Sequence, residues 1–378
     1  MAYRTDFGSI HQRPLGVFGA PARYVQGPGA TWELGRELQR LGFQGPVLFI
    51  AGGTAQRTLA PIWQEQLPAV GLQPVIDAFG GECSEREIKR LVAMSDHHGF
   101  CAVVGAGGGK ASDTARAVAD ELGLPVVITP TLASTDSPCS ALSVIYSDEG
   151  SVTGFRFYNR HPELLLVDTE VIAKAPKRQL VAGLGDGLAT WFEARATHES
   201  HRNNVVGGKP LTSALVLAKL CHDILLDDGP AACAAIDAGV PTPALERIVE
   251  ANILLSGLGF EIGGLALAHA VHNGISTIPG SHHNLHGEKV VIGLHTQLVL
   301  EGQPQSEIDE VFRYCQQVGL PTTLAQVGID AGNDAELMAI AERSVIPGET
   351  SHNEPFEVTA IAVMRALKAA DQLGRAYL

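Results

Sequence analysis

The chain has 378 residues, enough for two or three domains with separate cores. A hydrophobic content of 45% with 18% charged residues is typical of a globular protein, and a net charge of -14 argues against binding to nucleic acid or to an anionic membrane. The six cysteines are scattered without a CxxC pair, which predicts reduced, mostly buried thiols of a cytoplasmic protein.

The N-terminal segment has no apolar core and therefore does not resemble a secretory signal. The most apolar stretch, 253–271, carries Glu261 and four glycines. It is too polar and too broken for a membrane span, and we expect a buried helical pair there.

The first half of the chain alternates short apolar runs with segments of helical periodicity. This rhythm predicts a mainly parallel sheet covered by helices. The predicted strands are 46–53, 73–80, 100–107, 124–130 and 163–171. The predicted helices between them include 84–99 and 111–123.

From about residue 175 onward helical patterns dominate. They are clearest at 188–197, 211–226, 243–256, 260–271 and 359–378. We therefore predict an α/β domain over residues 1–172 and an all-helical domain over residues 173–378.

The segment 103–118, VVGAGGGKASDTARAV, predicts a strand, a glycine turn and the start of a helix. The glycines at 107–109 let the backbone approach a ligand, and a helix N-terminus offers free N–H groups to a phosphate. The segment departs from GxGxxG at Lys110 and from the P-loop at Ala111, so a simple tight turn stays an alternative. The Thr- and Ser-rich segment 129–146 has hydroxyls for ribose, phosphate or nicotinamide, or merely for capping turns.

Histidines are concentrated in one part of the chain. Five of the fourteen lie within eighteen residues, namely His269, His272, His282, His283 and His286. Because histidine is the commonest metal ligand, this density predicts a metal site. Spacing alone favours the pair His269 and His272, since residues i and i+3 share a helix face.

Five segments in order carry a family resemblance: GGGKASDTARAVAD, TLASTDSPCSALSVIY, LVAGLGDGLATWFEA, SGLGFEIGGLALAHAVHNG and HGEK. They are similar to the glycerol dehydrogenases, metal-dependent polyol dehydrogenases of the iron-containing alcohol dehydrogenase superfamily. The resemblance implies this superfamily's dehydroquinate synthase-like fold: an α/β nucleotide-binding domain, an all-α domain, and metal and substrate in the cleft between them. It also implies oxidation of glycerol or a related 1,2-diol to a hydroxyketone by a nicotinamide cofactor, in a homo-oligomer that is usually an octamer.

The resemblance implies metal ligands at Asp186, His269 and His286. It overrides the pairing with His272, which becomes a supporting or proton-relay residue and a catalytic candidate. One aspartate and two histidines with an open position suit zinc. Iron-dependent relatives tend to have a third histidine one helical turn after the aspartate, where this chain has Thr190, and this difference favours zinc over iron.

The resemblance also implies the remaining site residues. Asp136 would hydrogen-bond a substrate hydroxyl, although a role in a turn or helix cap is the alternative. Zinc would act as a Lewis acid that lowers the pKa of the substrate hydroxyl, as it lowers that of bound water to about 7. The implied cofactor-binding residues are Gly108, Gly109, Lys110, Asp113, Thr131, Ser134, Ser140, Leu142 and Tyr146.

The end of the strand 46–53 bears on the choice of cofactor. Glycerol dehydrogenases typically carry an aspartate there, which binds the adenosine ribose and repels the 2′-phosphate of NADP. Here Gly52 stands at that position, and Arg57 is the nearest basic residue. We expect NAD to be used, with relaxed discrimination against NADP.

Other functions on the same fold stay open at this stage. A dehydroquinate-synthase-like lyase or a glycerol-1-phosphate dehydrogenase would need several Lys or Arg side chains for its phosphate. Segments 183–194 and 261–288 contain none, which also counts, less strongly, against a hydroxycarboxylate dehydrogenase. A non-catalytic binding protein is disfavoured because the implied ligands and Asp136 are all present.

Overall fold

A parallel sheet occupies the N-terminal half of the chain. The structure, a computed structural model, describes residues 15–95 and 99–378, so the predictions for the first fourteen residues and for the end of helix 84–99 lie outside the described residues. The strands are β1 Tyr24–Gly27, β2 Gly45–Ala51, β3 Leu72–Ala78, β4 Ala102–Gly107, β5 Val126–Pro130, β6 Leu142–Tyr146, β7 Val152–Phe157 and β8 Leu164–Asp168. Six of them form the sheet in the order β1-β8-β5-β4-β2-β3, all parallel, and β6 pairs with β7 in an antiparallel hairpin.

Helices cover both faces of the sheet and dominate the described chain after β8. Alternate residues of β2 show this, because Leu48 and Ile50 enter one apolar cluster whereas Val47 and Phe49 enter another. Burial on both faces explains why the inner strands β2, β4, β5 and β8 are mostly apolar. The helices are α1 Leu34–Arg40, α2 Gly53–Gln66, α3 Glu85–Ser95, α4 Gly109–Leu122, α5 Thr169–Ala173, α6 Lys177–Glu199, α7 Thr212–Ala238, α8 Pro243–Glu250, α9 Ser256–Leu258, α10 Leu267–Ile275, α11 His286–Glu301, α12 Gln305–Val318, α13 Asp334–Arg343 and α14 Ala360–Gly374.

The strand order reverses between β2 and β4. From β2 the chain moves outward to β3, then returns to the other side of β2 with β4. The two strand ends lie side by side, since the N–H of Gly52 donates to the carbonyl of Ala106 over 2.9 Å. Helices α2 and α4 both begin there, at Gly53 and Gly109, without a side-chain cap. In open α/β sheets such a reversal opens the crevice in which a dinucleotide binds.

The apolar stretch 253–271 folds as a bent pair of helices. Helix α8 continues through two π-helical stretches, Ala251–Leu255 and Gly259–Gly263, that flank α9. The chain then bends by 103° into α10. Gly264 makes this turn with a φ of 106°, a conformation that favours glycine. Residues 251–264 are almost entirely buried, as expected for a helical pair of the core.

No single helix among the described residues is long and apolar enough to cross a bilayer; the bent pair just described meets the length and composition criterion only when its two arms are joined.

The core runs without a break past the end of the sheet. The largest apolar cluster contains both Ile128 of β5 and Leu184 of α6. Residue 172 lies inside α5, just after the last strand of the described chain, and a domain boundary there stays a prediction. All six cysteines are free thiols, five of them buried and Cys101 partly buried, as predicted.

Candidate metal centre and cofactor crevice

Three helices bring Asp186, His269 and His286 to one point. Asp186 lies in the middle of α6, His269 in the first turn of α10, and His286 is the first residue of α11. The Oδ1 atom of Asp186 lies 3.1 Å from Nε2 of His286 and 3.5 Å from Nε2 of His269. All three candidate ligand atoms lie within 4.8 Å of one another.

Glycines allow this close approach of helices. A Cβ atom on Gly287 would lie 1.8 Å from the carbonyl oxygen of Ala182, and one on Gly185 would lie 2.6 Å from the carbonyl oxygen of Gly287. A Cβ atom on Gly183 would lie 2.0 Å from the carbonyl oxygen of Ala133. The glycines of LVAGLGDG and HGEK therefore let α6 and α11 meet backbone to backbone beside Asp186.

One oxygen of Asp186 is buried without a hydrogen-bond partner. Its side chain is 1% exposed. Oδ2 accepts a hydrogen bond of 3.2 Å from the N–H of Asp136, whereas Oδ1 faces the two imidazoles without hydrogen-bond geometry. An unpaired buried carboxylate oxygen is costly unless a cation or donor completes it.

The far side of the His269 ring is held by Glu193, which is fully buried. Nδ1 of His269 lies 2.6 Å from Oε2 of Glu193. Oε1 accepts from the N–H groups of His269 and Ala266, at 2.9 and 2.8 Å. Because a carboxylate accepts hydrogen bonds only, Glu193 holds a proton on Nδ1 of His269, so Nε2 is the nitrogen that a metal ion would take.

The far side of the His286 ring contacts His272. Nδ1 of His286 lies 2.9 Å from Nε2 of His272, whose own Nδ1 lies 3.2 Å from Oδ1 of Asn273. Burial, together with His286, lowers the pKa of His272 well below its usual value, so His272 is neutral and accepts the proton of His286. His272 therefore supports the candidate ligand His286 from the side of the ring that faces away from Asp186. A catalytic role for His272 stays a prediction.

The ionisable groups of the cluster shift one another's pKa values. Burial alone would raise the pKa of Asp186, but His286 and His269 hold it well below its usual range. Burial would lower the pKa of His269, but Glu193 and Asp186 raise it well above 6.5. Nε2 of both histidines and Oδ1 of Asp186 fit a divalent metal ion as ligands, because Nδ1 of each ring and Oδ2 of Asp186 already have hydrogen-bond partners.

Asp136 lies beside this cluster. It follows β5 and is 8% exposed, and Oδ2 accepts a hydrogen bond of 3.3 Å from the hydroxyl of Ser256. Burial and the nearby Asp186 raise its pKa well above the usual value. A carboxyl group held this close to a metal site can bind a hydroxyl of the same substrate.

The predicted cofactor residues divide into two groups. Seven are half-buried and follow the carboxyl ends of β4 and β5 or lie on β6: Gly108, Gly109, Lys110, Thr131, Ser134, Leu142 and Tyr146. Asp113 and Ser140 are buried instead. The Asp113 carboxylate accepts from Arg116, Ser137 and the N–H of Val144, and Ser140 donates to the carbonyl of Ser137. These two brace the crevice from within, and a contact of theirs with a cofactor stays a prediction.

Known proteins resemble the chain over nearly its whole length. Residues 21–169 match the family model described as iron-containing alcohol dehydrogenase. The chain is 49% identical to the glycerol dehydrogenase of Thermotoga maritima, over 94% of this chain and 96% of that protein. The chain belongs to the iron-containing alcohol dehydrogenase family.

Other members of the family agree with this assignment. The glycolaldehyde reductase of Halobacterium salinarum is 45% identical over 95% of this chain and 98% of that protein. The crystal structure of the glycerol dehydrogenase of Schizosaccharomyces pombe has a TM-score of 0.91 at 34% identity, covering 97% of this dehydrogenase and 93% of that chain. The expected α/β and helical fold and the function of a metal-dependent polyol oxidoreductase are thereby confirmed.

Sequence reasoning missed three residues near the centre of this dehydrogenase. Glu193 follows Asp186 by seven residues, two helical turns, and this spacing could have placed both on one face of α6. Ser256 had no signal of its own. Lys289 lies one residue beyond segment 261–288, which contains no Lys or Arg. Its Nζ donates to Ser276 over 2.8 Å, and burial lowers its pKa to about 8.

Proposed function

We propose that this dehydrogenase holds zinc between Asp186, His269 and His286 and oxidises glycerol or a related 1,2-diol to the hydroxyketone with NAD. The observation that carries the proposal is the unpaired, buried Oδ1 of Asp186, faced by two imidazole nitrogens whose rings are fixed from behind. Zinc rather than iron is supported by Thr190, because its hydroxyl is engaged with Ser256 at 2.9 Å.

Each part of the site then has a separate task. The chemistry that bound zinc and NAD would supply is polarisation of a substrate hydroxyl and acceptance of hydride from the carbon that bears it. Asp186, His269 and His286 fix where the reacting hydroxyl lies. Asp136 binds the neighbouring hydroxyl and so selects diols over simple alcohols, while its N–H keeps Oδ2 of Asp186 turned away from the metal position. Holding both hydroxyls aligns the carbon that loses hydride.

The crevice at the strand reversal supports a dinucleotide site. The uncapped start of α4 suits a pyrophosphate, and the aromatic ring of Tyr146 lies 4.7 Å below the ammonium group of Lys110. On the adenosine side Gly52 offers no carboxylate. A guanidinium nitrogen of Arg57 lies 3.5 Å from where a Cβ atom of Gly53 would be, so a cation is present beside the expected 2′ position of the ribose. NADP is therefore expected to be accepted as well.

A second direction of the same chemistry is supported by one comparison. The relative from Halobacterium salinarum is named for reduction of glycolaldehyde, a two-carbon hydroxyaldehyde. The same metal and Asp136 would bind its carbonyl and hydroxyl oxygens. We also propose that the protein is a homo-oligomer, an octamer by resemblance, and that it is cytoplasmic.

The deciding experiment is a nicotinamide-linked assay of the purified, zinc-loaded full chain. The oxidation panel contains glycerol, 1,2-propanediol, glycerol 1-phosphate and 2-hydroxybutyrate, and the reduction panel contains dihydroxyacetone and glycolaldehyde. We expect turnover of the uncharged diols and their ketone or aldehyde partners only. Faster turnover of the phosphorylated or carboxylated substrate would refute the assignment.

Two histidine variants test the metal ligands directly. His286→Ala is expected to lose both zinc and activity. His283→Ala, which alters an exposed residue three positions away, is the matched control and should keep both. Full zinc content in the His286 variant would show that the ligand set is wrong.

A further inference from the structure

One long helical segment contacts the loop that carries Asp136 at three points. The amide of Asn252 donates to the carbonyl of Ala133 over 3.0 Å, Ser256 donates to Asp136, and the carboxylate of Glu261 accepts from the N–H of Ala141 over 2.8 Å. Nine residues separate Asn252 from Glu261. A regular α-helix makes two and a half turns over that distance and would direct the two side chains to opposite sides.

The π-helical stretches remove this mismatch. Ala251–Leu255 and Gly259–Gly263 have wider turns, with i→i+5 hydrogen bonds, so all three contact residues face the loop. A helix distorted in this way is frequently associated with a functional site. Here its middle contact, Ser256, is the one that reaches a side chain of the site.

Ser256 is itself the centre of a chain of hydroxyl groups. The hydroxyl of Thr190 lies 2.9 Å from that of Ser256, which in turn donates to Oδ2 of Asp136. Thr190 is 2% exposed and Ser256 is fully buried. Because Ser256 has one proton and gives it to Asp136, Thr190 must be the donor to Ser256.

The position of Thr190 is fixed by close packing. A Cβ atom on Gly259 would lie 2.3 Å from the Cγ2 methyl of Thr190. The methyl therefore occupies the space that only glycine leaves, and the hydroxyl is directed at Ser256. Close packing thus holds Thr190, the first link of the chain, in one orientation.

We propose that Ser256, oriented by Thr190, positions the Asp136 carboxylate for the second hydroxyl of the diol. The inference rests on the proposed function, in which Asp136 binds substrate. Oδ2 of Asp136 is engaged by Ser256, and its backbone N–H is engaged by Asp186, so Oδ1 is the atom left for the substrate. Ser256 and Thr190 touch neither metal nor substrate and act as positioning residues.

The test compares Ser256→Ala and Thr190→Val with one control, Thr296→Val. Thr190→Ser keeps the hydroxyl but loses the methyl that directs it, so its effect should lie between those of the wild type and Thr190→Val. Thr296→Val removes an equally buried hydroxyl that donates to the carbonyl of Ile292, outside the site. We expect Ser256→Ala to lower kcat/KM for glycerol about 10-fold, the upper end for one buried hydrogen bond, mainly by raising KM. Thr190→Val should show roughly a 3-fold effect. The Thr296→Val control should match the wild type in kcat/KM, and the zinc content and the KM for NAD should be unchanged in every variant.

Double-mutant cycles separate positioning from general loosening of the fold. In an Asp136→Asn background, Ser256→Ala should cause no further loss, and in a Ser256→Ala background Thr190→Val should cause none. Additive effects, an unchanged KM for glycerol in Ser256→Ala, or loss of zinc would overturn the inference while the diol assay on the wild type still stands. A wild type that oxidises no diol would overturn the proposed function, and this inference with it.

Discussion

Glu193→Gln tests how much the hydrogen bond between Glu193 and the metal ligand His269 contributes to metal binding. The carboxylate accepts three hydrogen bonds, one from the His269 ring and two from backbone N–H groups, of His269 itself and of Ala266. A glutamine of the same shape has one accepting and one donating end. If its oxygen faces the backbone, its NH₂ group meets Nδ1–H of His269 as a second donor. If its oxygen faces the ring, the NH₂ group meets two backbone donors.

Either orientation leaves at least one buried donor without an acceptor. Such a loss costs about 1–3 kcal/mol. The ring can escape the first conflict only by moving its proton to Nε2, which is the atom offered to the metal. We therefore expect Glu193→Gln to weaken zinc binding about 10-fold to 100-fold, the range found for partners of ligating histidines.

The measurement is the dissociation constant for zinc, by competition with a fluorescent chelator on the metal-free protein. Glu87→Gln is the matched control, because Glu87 is also buried and accepts from a backbone N–H, that of Gly80 over 2.8 Å, away from the site. Its zinc affinity should equal that of the wild type. Equal affinities in the Glu193 variant and the wild type would refute the argument that Glu193 fixes the tautomer of His269.

Three further predictions follow from other parts of the molecule. Asp136→Asn should raise KM for glycerol about 10-fold or more and leave KM for NAD unchanged in steady-state kinetics, since the residue is assigned to substrate alone. Gly52→Asp should increase the preference for NAD over NADP at least about 10-fold in kcat/KM; the site has room, because a Cβ atom there meets only the carbonyl oxygen of Ala106 at 3.8 Å and φ is -64°. Burial and Glu301 raise the pKa of Glu354 from 4.5 to about 9, so its contribution to stability is present below pH 4.5 and is lost as the pH rises through 9. The melting temperature should therefore fall less between pH 6 and pH 9 in Glu354→Gln than in the wild type, and an equal fall would contradict the pKa.

The sequence predicted the sheet better than its edges. All five predicted strands are confirmed. Four of them, β2, β4, β5 and β8, are mostly buried and appear as apolar runs, whereas β3 at the edge of the sheet is only partly buried. Strand β1 escaped notice because YVQG is four residues long and only half-buried. Strand β6 was missed because the segment 129–146 was interpreted as a source of ligand hydroxyls, and β7 was missed because it alternates exposed and half-buried residues and forms no apolar run.

The metal centre shows what spacing cannot reveal. The i, i+3 rule favoured His269 with His272, and both do lie on α10. In the folded chain α11 brings His286 next to Asp186, and His272 contacts the far side of the His286 ring. The resemblance implied the set that the structure brings together. The spacing of seven residues could place Glu193 on the same face of α6 as Asp186, but its contact with His269 and the contact of Ser256 with Asp136 lie between separate segments and are not marked in the local sequence.

The glycine contacts between α6 and α11 limit how this site can be altered. Side-chain packing can be adjusted by exchanging one residue for a slightly larger or smaller one, whereas Gly185 and Gly287 meet main chain against main chain. The distance between the two backbones cannot be changed in small steps, because any side chain at Gly185 or Gly287 would overlap the opposing main chain. Selection, or an engineer, can therefore change which metal the centre prefers only by exchanging the side chains presented to it, and not by moving the helices apart.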